Sequence, residues 1–216
     1  MSFKPITLQF ALCWMAAALA SGQTLDKLDL HGARASSVTY RNRLAIHLVP
    51  ADNASDGLAI VGGSSFENGT VEADLAGAPA QGAMEAARGF IGLAFRVQPG
   101  GTRMELIYLR PTNGRAEDQL RRNHSTQYES FPDWPWNRLR QESPGVYESY
   151  TDLETGAWTH MRVVVEGARA KLYVNGAEQP CLIVNDLKLA PAAGAVALWI
   201  GPGTDGYFSN LRLSPR

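Results

Sequence analysis

The chain has 216 residues with Lys+Arg 20 against Asp+Glu 21, a formal net charge of -1. That length suits one domain with a real hydrophobic core. The near-neutral balance argues against the basic surface of a nucleic-acid-binding protein, and no run of like charge marks a tail or a polybasic membrane patch.

The chain opens with a segment that reads as a targeting signal. Lys4 supplies the positive start, and an apolar stretch over residues 6–20 follows, broken by Thr7 and Gln9. It ends in small residues, with Ala16, Ala18 and Ala20 at alternate positions, which predicts cleavage after Ala20 or Gly22. A retained anchor is the competing reading, but the stretch is short for a membrane span. Residues 1–22 are therefore expected to be a signal peptide, giving a secreted or periplasmic chain with no membrane attachment after cleavage. Residues 23–216 are expected to form a single domain. Cys181 is then the one remaining cysteine, so no intramolecular disulfide can form. Its apolar surroundings, Pro180 and residues 182–184, read as a buried small hydrophobe.

Past the signal, apolar residues recur with a period of two, the mark of half-buried strands. Leu25, Leu28 and Leu30 suggest an opening strand; residues 37–40 and 44–49 suggest the next pair, and 58–61 a short one ending at Gly62 and Gly63. Over residues 69–75, Val71, Ala73 and Leu75 point one way and Thr70, Glu72 and Asp74 the other. Residues 89–97 are nearly continuously apolar, as in a central strand covered on both faces. Pro99, Gly100 and Gly101 predict a turn, after which residues 104–110 pair back and Pro111 ends the strand.

The rhythm breaks over residues 111–145, which are polar, rich in Arg and Asn, and carry Trp134 and Trp136 around Pro135. This reads as a long loop insertion with a short helix near residues 117–122; such excursions inside compact domains are often functional. Strand patterns then return at 146–150, 158–165, 170–174, 181–184, 194–200 and 207–213, with Asn175 and Gly176 supplying a strong turn signal. Many short strands at this spacing predict an all-β sandwich or barrel.

The last third carries a likeness to a known family. Trp158 precedes a Val-rich strand to Val165, Gly167 marks a turn, and residues 172–176 (LYVNG) end a strand on Asn-Gly. Residues 194–199 (GAVALW) and 207–213 (YFSNLRL) complete it, with residues 66–74 and 89–97 matching two central strands upstream. In these features the chain resembles the concanavalin A-like lectin/glucanase superfamily, especially laminin-G-like modules and bacterial 3-keto-disaccharide hydrolase-like domains. The resemblance implies a two-sheet antiparallel jelly roll whose concave sheet often binds sugars. It implies no single chemistry, because the superfamily holds lectins, glycosidases and adhesion modules. Two features depart from the pattern. Retaining glycosidases of this fold commonly carry Glu-x-Asp-x-x-Glu, whereas Glu72-x-Asp74 is followed here by Leu75, Ala76 and Gly77. The insertion over 111–145 is also long for a laminin-G-like module.

Four groups of residues can carry chemistry. Trp134 and Trp136, with Tyr128 and Phe131 before them, offer rings on which sugar C–H faces pack, beside the polar Asp133, Asn137 and Arg138. The same rings can instead fold the loop back onto the sandwich. Glu72 with Asp74, and Tyr108 with Arg110, each share a strand face; if both faces are concave they make a charged floor. An exposed face with incidental ion pairs is the alternative. Arg115, Tyr128, Glu129 and Asp133 would contribute from the loop. Glu129, Asp133 and Glu148 are also acid–base candidates, with His124 as a lone base. Residues 52–57 and Asp205 have a faint calcium look but read better as turns, so no metal or other cofactor is assigned. The expected ligand is a carbohydrate, bound by a monomer. The alternatives are an enzyme cleaving a glycosidic or keto-sugar bond with the same carboxylates, for which no catalytic residue is assigned, and a non-catalytic adhesion module.

Overall fold

The computed structural model describes residues 25–52 and 55–216; the expected signal segment, 1–22, lies outside them. The opening strands are β1 (Leu28–His31), β2 (Ala33–Tyr40), β3 (Arg43–Pro50) and β4 (Gly57–Val61). The long β5 (Gly69–Pro79) precedes β6 (Ile91–Val97) and β7 (Met104–Leu109). Then come helix α1 (Gln119–Asn123), β8 (Thr126–Phe131), helix α2 (Trp136–Glu142) and the two-residue β9 (Glu148–Ser149). The chain closes with β10 (Thr159–Glu166), β11 (Arg169–Val174), β12 (Leu182–Val184), β13 (Ala195–Ile200) and β14 (Thr204–Pro215).

These strands form two antiparallel sheets of seven. The first runs β1-β4-β13-β6-β7-β8-β9 and the second β12-β11-β10-β5-β14-β3-β2. The architecture is all-β, as the period-two pattern predicts, and a two-sheet sandwich, as the family resemblance implies. On β5 the alternation holds: Val71, Ala73 and Leu75 are buried, while Thr70, Glu72 and Asp74 face outward. On β10 the inward set is Met161, Val163 and Val165. These residues meet Leu93, Phe95, Ile107 and Leu198 of the first sheet in one shared core. β6 is buried at every position, as its nearly continuous apolar run predicts.

The sequence reading needs one correction here. Residues 111–145 are not a single loop, because β8 lies inside them and pairs with β7 from Leu109↔Thr126 to Met104↔Phe131. Its sequence, TQYESF, is polar at Thr126, Gln127, Glu129 and Ser130 and shows no apolar alternation. Gln127 and Glu129 are buried with partners, Arg110 and Tyr108, and Ser130 is buried beside them. The helix expected near 117–122 is α1, capped by the Asp118 carboxylate, which accepts from the Arg121 N–H at 2.6 Å. The strand expected over 146–150 shrinks to β9.

Two polar devices join the layers. The register of β6 against β13 shifts between Ala195 and Ala197, and Arg96 takes a φ of 53° at this bulge. Its guanidinium then donates to the carbonyls of Glu67 (2.9 Å) and Gly167 (2.7 Å), clasping one end of the sandwich. Inside the sandwich, Glu105 of β7 is fully buried and accepts from Tyr128 Oη of β8 (2.8 Å) and from the Leu189 N–H (2.9 Å). Tyr128 Oη in turn accepts from the Lys188 N–H at 2.7 Å, so the 187–189 segment is held against the first sheet. Cys181 is half-buried, its thiol reaching the Leu172 carbonyl at 3.6 Å and pushed up to about 11 by burial.

Gly92 occupies the middle of the first sheet, paired with Tyr108 on β7 and Trp199 on β13. With no side chain between them, those two rings meet at 4.8 Å. A Cβ at 92 would lie 2.4 Å from the Ile107 carbonyl oxygen and 2.5 Å from Tyr108 Cβ. Gly92→Ala is therefore expected to cost roughly 1–3 kcal/mol, read as a lowered urea midpoint at unchanged slope. A midpoint equal to that of the parent would refute this packing argument.

Candidate functional site

The outer face of the first sheet carries a second apolar cluster, separate from the shared core. Ala94, Leu106, Tyr108, Ala197 and Trp199 belong to it, with Phe90 and Phe131 packed alongside. A cavity of about 800 Å³ opens over this face, within the range of small-molecule sites. Tyr108, Glu129 and Trp199 contribute to its floor. The loop before β6 supplies one wall through Met84, Arg88 and Phe90; the α1 region supplies another through Asn113, Arg121 and His124. The start of α2 adds Pro135, Trp136 and Arg140, and Asp56 enters ahead of β4.

The polar side of the floor is a connected chain. Tyr108 Oη donates to Glu129 Oε1 at 2.7 Å and accepts from Arg110 Nη2 at 2.9 Å. Arg110 also donates to Gln127 Oε1 (3.1 Å) and the His124 carbonyl (3.2 Å), and lies 3.9 Å from Glu148. Glu148 receives the fork of Arg140, with contacts of 2.6–3.1 Å, and His124 Nε2 at 3.1 Å. Burial drives the Tyr108 hydroxyl well above its ordinary range, so it stays a donor. Burial also holds His124 below its ordinary value; Glu148 pulls it up, and Arg140 and Arg110 pull it down.

Two carboxyls on this cavity resist ionisation. Burial pushes Glu129 up to about 7; the bonds from Tyr108 and the Trp136 N–H and the charge of Arg110 work against the shift, and Asp56 adds to it. The Trp136 N–H is one of the free donors of the first turn of α2, so the helix start and the carboxyl satisfy each other. Asp56 is likewise raised by burial, with the Trp199 indole partly offsetting it. The indole nitrogen itself lacks a hydrogen bond of normal geometry among the described residues.

The structure divides the ten residues expected at the site. Tyr108, Arg110, Glu129 and Trp136 line the cavity. Glu72 and Asp74 do not share their floor: they lie on the outer face of the second sheet. There Asp74 binds Arg43 (2.8 Å), His160 (2.9 Å) and Asn210 (2.7 Å), and Glu72 neighbours His160 and Arg212. A period of two says that two residues share a face, not which sheet carries the strand. Tyr128 points into the core toward Glu105. Arg115 is exposed and paired with Asp152 and Glu154, and Asp133 is exposed on the turn before Trp134. The two tryptophans separate. Trp134 packs at the core edge beneath Arg138 (3.8 Å) and Lys188 (4.9 Å). Trp136 stands 42% exposed on the cavity with Arg140 and Arg110 against its ring.

The sequence reading passed over Asp56, Arg88, Phe90, Arg121 and Trp199 as site residues. Trp199 had a signal: in the GAVALW strand it falls on the opposite face from the core residue Leu198, and an aromatic facing out of a central strand needs cover. Asp205, weighed for calcium, instead pairs with His47 and accepts from Tyr207 Oη at 3.0 Å. The other calcium candidate, 52–57, includes two residues outside the described ones.

No protein-family model matches the chain, and no curated protein matches it. Solved structures do. A carbohydrate-binding module (CBM66) from Bacillus subtilis superposes with a TM-score of 0.56 at 15% identity, covering 85% of this chain and 95% of that one. A Bacillus subtilis protein of unknown function with a galectin-like fold gives 0.53 at 12%, covering 85% and 87%. A putative glycosyl hydrolase from Parabacteroides distasonis gives 0.56 at 11%, covering 90% and 96%. At such identities the likeness is one of fold: the chain has the concanavalin A-like jelly roll.

The raised carboxyl makes a pH prediction. A carboxyl with a folded pKa near 7 and an unfolded value near 4.5 favours the folded state fully below the unfolded value. That contribution is lost as pH rises through the folded one. Stability is expected to fall between about pH 4.5 and 7 by on the order of 3 kcal/mol from this group. Glu129→Gln keeps an acceptor for Tyr108 and should flatten that slope in urea titrations at several pH values. An unchanged slope would count against a protonated Glu129.

Proposed function

We propose that the chain binds a carbohydrate in the cavity on the outer face of the first sheet. One observation carries the reading: aromatic walls from Phe90 and Trp136 stand over a floor that joins the Trp199 ring to a preformed hydrogen-bonding group of Tyr108, Glu129 and Arg110. Sugar rings present apolar C–H faces and hydroxyl edges, and a site that mixes rings with a few fixed polar groups matches both. The polar groups are held by one another before any ligand arrives, which lowers the ordering cost of binding. The fold shared with a carbohydrate-binding module supports the same class of ligand.

Trp136 is the discriminating residue, because it is half-exposed and contributes little to the core. Trp136→Ala is expected to weaken glycan binding by roughly 10-fold or more while shifting the thermal midpoint by no more than a few degrees. The check is a glycan array followed by calorimetric titration of the hit. A Trp136→Ala chain that binds as the parent does would overturn the site.

A second reading is favoured by one feature. Glu129 and Asp56 line one cavity with both carboxyls biased toward the protonated form, the equipment of a general acid beside a second carboxyl. In this reading Glu129 gives its proton to the oxygen of the departing sugar as the glycosidic bond breaks, while a water attacks the anomeric carbon and loses its proton to Asp56 acting in its ionised form. Incubation with the bound glycan should then release shorter sugars at a rate that falls above about pH 7. Glu129→Gln should remove cleavage and keep binding. Intact glycan after long incubation at pH 5–7 would leave binding alone.

A further inference from the structure

The geometry points to an anionic sugar as the ligand, its acidic group docking against Arg88 and Arg121, with the charge of the buried Arg110 behind them. The inference rests on the carbohydrate reading above and narrows its ligand to the acidic class.

All three side chains line the one cavity, and their existing contacts go almost wholly to neutral groups. Arg88 donates to the carbonyls of Glu85 and Ala87. Arg121 donates to Asn113 Oδ1 at 2.9 Å and Thr112 Oγ1 at 3.2 Å. Arg110 serves Tyr108, Gln127 and the His124 carbonyl, with its nearest carboxylate, Glu148, at 3.9 Å. Glu148 is already engaged by Arg140 and His124. The remaining acids do not close the balance by contact. Asp118 is spent on capping α1 through the Arg121 N–H. Asp56 and Glu129 are lifted toward their neutral forms by burial.

The guanidinium groups also feel one another. Burial first, then the charges of Arg121 and Arg110, depress the proton affinity of Arg88, and only Glu85 opposes them. Like charges brought together in a partly dry wall cost free energy unless an anion joins them. A carboxylate or sulfate would accept charge-assisted, fork-like bonds from such a wall, and Trp136 and Phe90 on the same cavity would receive its sugar ring.

The test is calorimetric titration of the chain with oligosaccharides of hexuronic acid, with sulfated oligosaccharides, and with neutral oligosaccharides of equal length. The expected result is acidic sugars binding at least ~10-fold more tightly than neutral ones, with affinity falling as salt is raised. A preference between the uronic and sulfated arms identifies the acidic group. Arg88→Gln and Arg121→Gln should each lose about 10-fold for the acidic ligand only, and Arg88→Lys should recover part of it. Arg121 also bridges Asn113 and Thr112, so thermal unfolding is followed in parallel; Arg88, which touches only backbone, carries the test if that variant is unstable. Equal or tighter binding of the neutral series would overturn the inference and leave the sugar site standing. Failure of every sugar to bind would overturn both.

Discussion

A buried guanidinium organises the functional face. Arg110, just past the end of β7, is nearly solvent-free and joins β7 through Tyr108, β8 through Gln127, β9 through Glu148 and the α1 loop through the His124 carbonyl. A buried cation is tolerable only when its donors are satisfied, so these four segments must arrive together. That requirement explains why a stretch as polar as β8 is a strand at all: its Gln127 and Glu129 are partners that the charge demands. It also sets the chemistry of the cavity. The Tyr108 hydroxyl, taken by Arg110 on one side, is left to donate to Glu129 on the other, which fixes that carboxyl in place before any ligand enters.

The cavity inherits depth from the pleat of the sheet as well as from the loops. Gly92 leaves room for Tyr108 and Trp199 to meet across β6, while the loop before β6, the α1 region and the start of α2 raise the walls. The result is a pocket with an apolar lining and a narrow polar seam. A carbohydrate-binding module and a putative glycosyl hydrolase share the fold of this chain.

Most of the fold was legible in the sequence because most strands obey the period of two: β5 and β10 alternate residue by residue, and β6 runs apolar because both its faces are covered. β8 was not legible, since its inward and outward positions both carry polar side chains whose partners are far away in sequence. The candidate site was half legible. Tyr108, Arg110, Glu129 and Trp136 stood out as polar or aromatic residues in or beside the unpatterned region. Glu72 and Asp74 looked equivalent to them by alternation alone, because periodicity carries no information about which sheet a strand joins. Arg88 sits in a loop of ordinary composition and Asp56 in a segment that reads as a turn, and only the closing of the sheet brings them to the cavity.

The two tyrosine–glutamate contacts between β7 and β8 have a joint consequence. Tyr108 reaches Glu129 on the outer face, and Tyr128 reaches Glu105 on the inner face, along opposite diagonals of the ladder, where Tyr108 opposes Gln127 and Glu105 opposes Ser130. A slip by one residue would exchange the faces, as in any sheet. A slip by two would keep every side chain on its own face and satisfy the hydrophobic pattern, the error that core packing alone tolerates best. Because the two contacts lean opposite ways, such a slip in either direction would bring one pair face to face and part the other, leaving one carboxyl in dry surroundings without its donor. The paired diagonals thus act as a register key: the contacts that shape the cavity floor and the sandwich interior also tell this sheet which of its near-equivalent alignments is the native one.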